Sequence, residues 1–357
     1  RFGLAIPRNC FSVSYSPNGP LQGGRRPPGM VGGRVLVPLL TAGVLAVLPP
    51  RGSAIPRLAL HAIKHDGDGD VEQDVLKRPL KVFTLYDRHF SRIAKVWRDC
   101  LTKAMPRPLA HMSVEAKELS SRGMALLQTG ARLPSEKFSN LLMNEWAAKL
   151  AVADTLHIDA DAFLLKDPAR ATTVRYPEAD IVAVADCVHS GERCAWYRRR
   201  DYLARHRGQD PLKAQGFMLN TGFMYLRSSP ATMHLMNHSI KLTHAGENEQ
   251  VALNEVLLAK GCTWMTADGS PAPEGREAAK FLETGTLHGL CKPAIGSKPP
   301  ESRLHVVVLP SGVVPREMME DSFGNGVVEP QSVAYHPGGR VEEKERILGR
   351  VRRLCRS

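Results

Sequence analysis

From Arg78 onward, short apolar runs alternate with amphipathic stretches, a pattern that restricts the chain to a sheet with helices packed on its faces. Lys81–Tyr86 (KVFTLY) reads as the first strand, and the helix after it carries Phe90, Ile93, Val96, Trp97 and Leu101. Further strands are predicted at 108–114 and 124–128. After Pro134, an apolar stripe of Phe138, Leu142, Trp146 and Leu150 marks a core-facing helix. Thr155–Ile158 is a strand that ends in charge, and Ala179–Ala185 (ADIVAVA) suits a buried parallel strand. Phe217–Leu226 is another strand, after which Ser229-Pro230 supplies a helix cap and first position. Val251, Leu253, Val256 and Leu257 belong to a further helix, Leu304–Leu309 to a last strand, and 342–353 to a basic terminal helix. Residues 267–302, rich in Gly, Pro and charge, read as a long loop or insertion. The expectation is an α/β domain over 78–350 with a mostly parallel sheet, followed by a tail at 351–357.

The segments before it are of another kind. Residues 1–29 form a Pro/Gly/Arg-rich stretch without periodicity, expected to be disordered or an extension outside the mature protein. Within 30–53, a basic residue precedes an apolar run from Val35 to Leu48 and a small-residue exit, the order of a signal peptide or a short type II anchor. Residues 54–77, including DGDGD, read as a linker or stem. A secretory route agrees with an Asn237-His238-Ser239 glycosylation pattern. It also bears on the cysteines: Cys187 with Cys194 and Cys262 with Cys291 could close loops in an oxidising compartment, or remain free thiols. The formal charge of +12 favours polyanions in general. The basic residues are scattered, with no stripe beside stacking aromatics, which argues against a nucleic-acid partner.

The chemistry is expected where the charged strand ends, at DTLHIDADAFLLKDP. In extended backbone, residues two apart project to one side, so Asp159 and Asp161 converge. Two such carboxylates repel unless a cation lies between them. A hard divalent ion held by few protein oxygens keeps positions open for substrate phosphates, so the pattern points to a metal–diphosphate site.

This run resembles the Asp-x-Asp segment of nucleotide-diphospho-sugar transferases, and the resemblance continues in order along the chain. ADIVAVADC is similar to the family's next strand, ending at Asp186, and GFMLNTGFMYLRSSP to its Asn-Thr-Gly block at Asn220, Thr221 and Gly222. ENEQVALNEVLL resembles the block holding Glu249, Gln250 and Asn254, and VAYHPGGRVEEK the closing motif of His336, Gly339 and Lys344.

The resemblance implies a GT-A fold: a Rossmann-like, mostly parallel sheet flanked by helices, with nucleotide- and acceptor-binding halves merged into one domain. It implies a transferase that moves a hexose or pentose from a nucleotide-diphosphate donor, first of all a UDP-sugar, to a hydroxyl of a glycan or glycoprotein. Mn²⁺ or Mg²⁺ is the implied cofactor, with Asp159, Asp161 and His336 as its ligands and Asp159 near the donor ribose. Lys344 would balance the departing diphosphate, while Asn220, Thr221 and Gly222 would shape the sugar pocket. Asp186, Glu249 and Gln250 are the implied catalytic contacts to the transferred sugar or acceptor, with Asp186 the base if configuration inverts. Similarity to plant and algal arabinosyl-, xylosyl- and galactosyltransferases leans towards retention. Thr84 and Tyr86 are expected donor contacts, although KVFTLYD lacks the family's usual base-binding signature. The implied place is the Golgi or ER lumen. Two rivals share features: a non-catalytic sugar-binding relative, and a HAD-type phosphatase, whose Asp-x-Asp belongs on a first strand and not after some 80 structured residues.

Overall fold

In the computed structural model, residues 79–105, 112–118, 135–188, 212, 215–292, 303–316 and 329–356 are described, all of them in the second of the two units, 1–57 and 58–357, into which the chain divides. In chain order they form β1 (Leu80–Tyr86), α1 (Ser91–Ala104), β2 (Met112–Glu118), α2 (Ser135–Leu150), β3 (Asp154–Ile158), β4 (Phe163–Leu164), β5 (Ile181–Val188) and β6 (Phe217–Leu226). Then come α3 (Pro230–His244), α4 (Glu249–Lys260), β7 (Thr263–Thr266), α5 (Gly275–Phe281), β8 (Leu287–Cys291), β9 (Leu304–Leu309), β10 (Ala334–Tyr335) and α6 (Val341–Leu354).

The main sheet has the order β2-β1-β3-β6-β5-β9-β8-β7, and only β6 and β8 run against the other strands. This is the α/β architecture expected of a GT-A domain, a mostly parallel sheet between helical layers. The central strands are apolar on both sides because both faces are covered: every residue of β3 and β6 is buried. On one face, Val82, Leu156, Phe223 and Val307 pack with Ile93, Trp97 and Cys100 of α1 and Val351 of α6. On the other, Phe83, Ile181, Leu219 and Val306 pack with Leu142 and Trp146 of α2, Leu235 of α3 and Leu253 of α4.

Local chemistry fixes the helix ends. Ser229 caps α3 in a reciprocal capping box with Thr232, with Pro230 in the first turn. Asn248 accepts from Gln250 N and Val251 N to cap α4, which stops at Gly261 in the left-handed region. At the N-terminal edge of the sheet, acidic residues serve as ties. Asp154 accepts from Tyr225 Oη and Ser228 N, both at 2.8 Å, and Asp180 accepts from His305 N at 2.9 Å. Asp159 and Asp161 lie at the opposite edge, beyond the C-terminal end of β3, where open α/β sheets bind ligands.

Several expectations are corrected. The second strand spans Met112–Glu118, later than the predicted 108–114; its start and the strand expected at 124–128 lie outside the described residues. The stretch 267–302 is not one long loop: α5 and β8 lie within it, and β8 pairs antiparallel with β9 along its whole length. Gly289 hides this strand in the sequence, and it is glycine because a Cβ there would come within 2.5 Å of the Trp264 ring. The terminal helix runs on to Leu354, into the expected tail. Cys262 and Cys291 are bridged, as one expected pairing had it; Cys100–Cys355, which ties α1 to α6, was not foreseen. The side chains of Cys187 and Cys194, and the segments 1–29, 30–53 and 54–77, lie outside the described residues. Among the described residues no helix is long and apolar enough to cross a membrane. Asn237 is exposed on α3, whereas Ser239 of the same glycosylation pattern is fully buried.

Candidate active site

The site is built where β3 leaves the sheet. β3 pairs with β6 as far as Ile158 opposite Phe223, and Asp159 N then donates to Gly222 O at 2.8 Å. Ala162 N turns back onto Asp159 O at 2.9 Å, which closes the Asp-Ala-Asp turn. The chain then enters β4, which pairs with β10 through Phe163–Tyr335 and Leu164–Ala334. That short ladder carries His336, the residue after β10, to the two aspartates. Donor atoms of Asp159, Asp161 and His336 lie within 4.8 Å of one another. His336 Nε2 is 3.2 Å from Asp161 Oδ1 and 3.6 Å from Asp159 Oδ2.

Past His336, Gly339 takes φ +96, a conformation that favours glycine, and Arg340 N donates to Glu343 Oε2 at 2.7 Å to start α6. The first turn of that helix then lays the Lys344 ammonium against Asp161 Oδ2. Gly222 forms the wall behind the group. A Cβ there would overlap the Asp159 carboxylate and come within 2.6 Å of His336 Cε1.

The electrostatics differ between the two aspartates. Burial, with the charge of Asp161 beside it, pushes Asp159 up to about 6, an effect tempered by the 39% of its side chain that remains exposed. Burial also works against ionisation of Asp161, but His336 and Lys344 outweigh it and hold that carboxyl well below the usual range. Two carboxylates and an imidazole, converging beside a wall stripped of its Cβ, fit a divalent ion that accepts both oxygen and nitrogen.

A second hydrogen-bonded layer stands behind the first. Asp186 accepts from Asn220 Nδ2 at 2.9 Å and Gln250 Nε2 at 2.7 Å, and it is paired with Arg316. Asn220 Oδ1 in turn accepts from Gly222 N at 2.6 Å, and Gln250 Oε1 from Thr221 N at 3.0 Å and Thr221 Oγ1 at 3.2 Å. Irregular pairing between β5 and β6 on either side of Ala185 accompanies these contacts. Asn254 pins the start of β6, accepting from Leu219 N at 2.8 Å and donating to Leu219 O at 2.9 Å. Glu249, at the start of α4, accepts from Ser139 Oγ and from Asn248 Nδ2 at 2.9 Å. Burial raises its affinity for a proton, and its charge reaches Asp159.

The sequence-predicted residues therefore gather as two joined groups: Asp159, Asp161, His336 and Lys344 with Gly222, and Asp186, Asn220, Thr221 and Gln250 with Glu249 nearby. Thr84 and Tyr86 bond to neither. The Thr84 hydroxyl is buried without a hydrogen-bond partner, and Tyr86 packs on Ala160 while its hydroxyl accepts from Arg98 at 2.7 Å.

Two participants were missed. His157 is fully enclosed, its Nδ1 2.8 Å from Thr221 O and its Nε2 3.7 Å from Asp159 Oδ1, and burial depresses it to about 4. Its period-two spacing from Asp159 was a readable signal. Arg316 offered none, since only the fold brings it to Asp186 and within electrostatic reach of Asp159 and Asp161.

The profile of one family, described as nucleotide-diphospho-sugar transferase, matches residues 140–324. No curated protein matches. Among solved structures, the galactosyltransferase LgtC in complex with donor and acceptor sugar analogues is 11% identical, with a TM-score of 0.36 and coverage of 75% of this chain and 95% of that one. A glycosyltransferase involved in glycosylation of the major capsid of PBCV-1 is 10% identical, with a TM-score of 0.36 and coverage of 76% and 98%.

Proposed function

Because the chain belongs to the nucleotide-diphospho-sugar transferase family, we propose that it moves a sugar from a UDP-sugar to a hydroxyl of a glycan or glycoprotein. The observation that carries this reading is the convergence of Asp159, Asp161 and His336 at the end of β3, against Gly222. These three residues would hold Mn²⁺ or Mg²⁺, which supplies charge neutralisation at the donor diphosphate.

The remaining work falls to the chain itself. Lys344, on the first turn of α6 against Asp161, and Arg316, paired with Asp186 within electrostatic reach of both aspartates, would oppose negative charge as the nucleoside diphosphate departs. Gly222 lets the Asp159 carboxylate and the His336 ring close against the backbone, which sets where a metal would sit. Both oxygens of Asp186 are already engaged by Asn220, Gln250 and Arg316. We therefore assign Asp186 and Gln250, whose amide is held by Asp186 and Thr221, positioning roles, and leave to Glu249 the contact with sugar and acceptor. With Asp186 so occupied, retention of configuration is the favoured stereochemical course.

Redox chemistry supports a compartment for this reading. The Cys100–Cys355 and Cys262–Cys291 bridges persist where conditions are oxidising, which supports a Golgi or ER luminal enzyme entering through the apolar run at 35–48 as a signal or type II anchor.

Isothermal titration of UDP with and without Mn²⁺ tests the proposal, followed by hydrolysis assays over a panel of UDP-sugars. Wild type is expected to bind UDP only with the metal. An Asp161→Ala/His336→Ala variant should lose that binding by about tenfold or more. Wild type that ignores both UDP and GDP in the presence of metal would rule the donor site out. Metal-dependent binding with neither hydrolysis nor transfer would instead identify a sugar-nucleotide-binding relative.

A further inference from the structure

On the face of the sheet that carries α1 and α6 lies a second cavity, of about 1000 Å³, which none of Asp159, Asp161, His336 or Lys344 borders. It opens between the C-terminal end of α1, the turn after β4 and the stretch that follows β9. Its floor is apolar, made by Leu165, Leu309, Val313 and Val333. Four cations line it, Lys103, Lys166, Arg170 and Arg175, against the carboxylates of Asp167 and Glu283.

Four cations against two carboxylates leave the described lining with a positive surplus. Asp167 Oδ1 is turned onto its own loop, accepting from Ala169 N at 2.9 Å. Lys166 Nζ donates to Glu329 O at 3.0 Å and Pro330 O at 2.7 Å, neutral carbonyls that leave its charge uncompensated. Among the described residues, Lys103, Arg170 and Arg175 have no ion-pair partner, and both arginines are exposed. Like charges gathered around a concave surface raise the local concentration of anions. Guanidinium groups bind carboxylates, as they do phosphates, through paired hydrogen bonds, and the apolar floor beside them suits the C–H face of a sugar ring. Among the described residues, no tryptophan or phenylalanine lines the cavity to stack a base.

The cavity is also joined to the site. Leu165 N donates to Val333 O at 2.9 Å, one step beyond the β4–β10 ladder whose other end bears Asp161 and His336. Four residues of extended chain, from Asp161 to Leu165, span at most about 13 Å.

We propose that this cleft is a docking site for an acidic saccharide, in which the uronate-bearing part of an acceptor glycan seats away from the hydroxyl that receives the sugar. Carboxylates meet Arg170, Arg175 and the two lysines, and the C–H faces of the rings lie on the leucine and valine floor. The role as acceptor dock rests on the transferase reading above; the binding itself does not.

The test is titration of hexagalacturonate, and of its carboxyl-reduced neutral counterpart, into the full chain and into an Arg170→Ala/Arg175→Ala variant. UDP with Mn²⁺ is titrated in parallel. Wild type is expected to prefer the acidic ligand by about tenfold or more, and the variant to lose on the order of tenfold or more while binding UDP as before. Equal binding of the neutral saccharide, an unweakened variant, or no binding of hexagalacturonate would each overturn the proposal. Binding of inorganic phosphate in place of the saccharide would overturn it too and reassign the cleft to a phosphate group. Failure of wild type to bind either UDP or GDP with Mn²⁺, with preference for the acid intact, would sink the transferase reading and leave the docking site standing.

Discussion

At the scale of single residues, Gly222 shows how little room the site has. Its backbone φ is unexceptional; what excludes a side chain is the Asp159 carboxylate and the His336 ring, both within reach of any Cβ. Gly222→Ala should cost about 1–3 kcal/mol of stability through overpacking. It should also weaken metal-dependent UDP binding by about tenfold, as the carboxylate and imidazole are pushed apart. A variant that melts and titrates like wild type would show that the wall is slack. His157 makes a second case. Burial depresses it to about 4, so the folded protein binds its proton less readily than the unfolded chain, whose histidine titrates near 6.5. The stability it contributes is therefore complete above about pH 6.5 and is lost as pH falls towards 4, by about 3 kcal/mol at most. His157→Gln carries no such proton. Urea unfolding of both proteins at about pH 7.5 and about pH 4.5 should show the lead of wild type shrinking on acidification; a constant lead would contradict the assignment.

At the scale of elements, the informative junction is α4 against β6. α4 reaches the first half of β6, handing Asn254 to both polar groups of Leu219, while Gln250, one turn earlier, holds Thr221 and Asp186. The irregular β5–β6 pairing would leave backbone groups unmet in the buried sheet, and these side chains meet them. Asn254→Ala removes three side-chain bonds, two of them to Leu219, and leaves Leu219 N and O enclosed, so a loss of about 2–3 kcal/mol in chemical denaturation is expected. The alternative, a loss of only a few tenths, would mean that water takes over those groups. Helix ends here were legible in advance because a cap is a local device: Ser229-Pro230 declares α3 within two residues. β8 was not legible, because a five-residue strand with a central glycine is recognised only by the partner β9 that completes it.

At the scale of the whole molecule, the Cys100–Cys355 bridge joins the first helix to the last across a sequence separation of 255 residues. Chain-entropy arguments give such a closure up to about 5 kcal/mol. A Cys100→Ser/Cys355→Ser variant should therefore melt markedly lower than wild type under non-reducing conditions and match it once both are reduced, apart from the Cys262–Cys291 contribution they share. Equal melting before reduction would show that the bridge adds nothing. Lys344 lies eleven residues before Cys355 on the same C-terminal segment, so the variant also tests whether α6 keeps that cation against Asp161 without covalent help.

The sequence by itself determined the alternation of strands and helices, the caps, and the pair Asp159 and Asp161. Each of these is written in residues near one another, where periodicity and local hydrogen bonding act. The resemblance of ordered motifs named the companions His336, Lys344, Asn220 and Gln250 without saying how they meet. Only the tertiary structure decided that β6 runs against its neighbours, that Gly222 faces His336, that Arg316 takes Asp186, and that four cations share one cleft. The reason is physical. Those juxtapositions depend on which buried surfaces pack together, a property of the whole core that no short stretch of chain encodes.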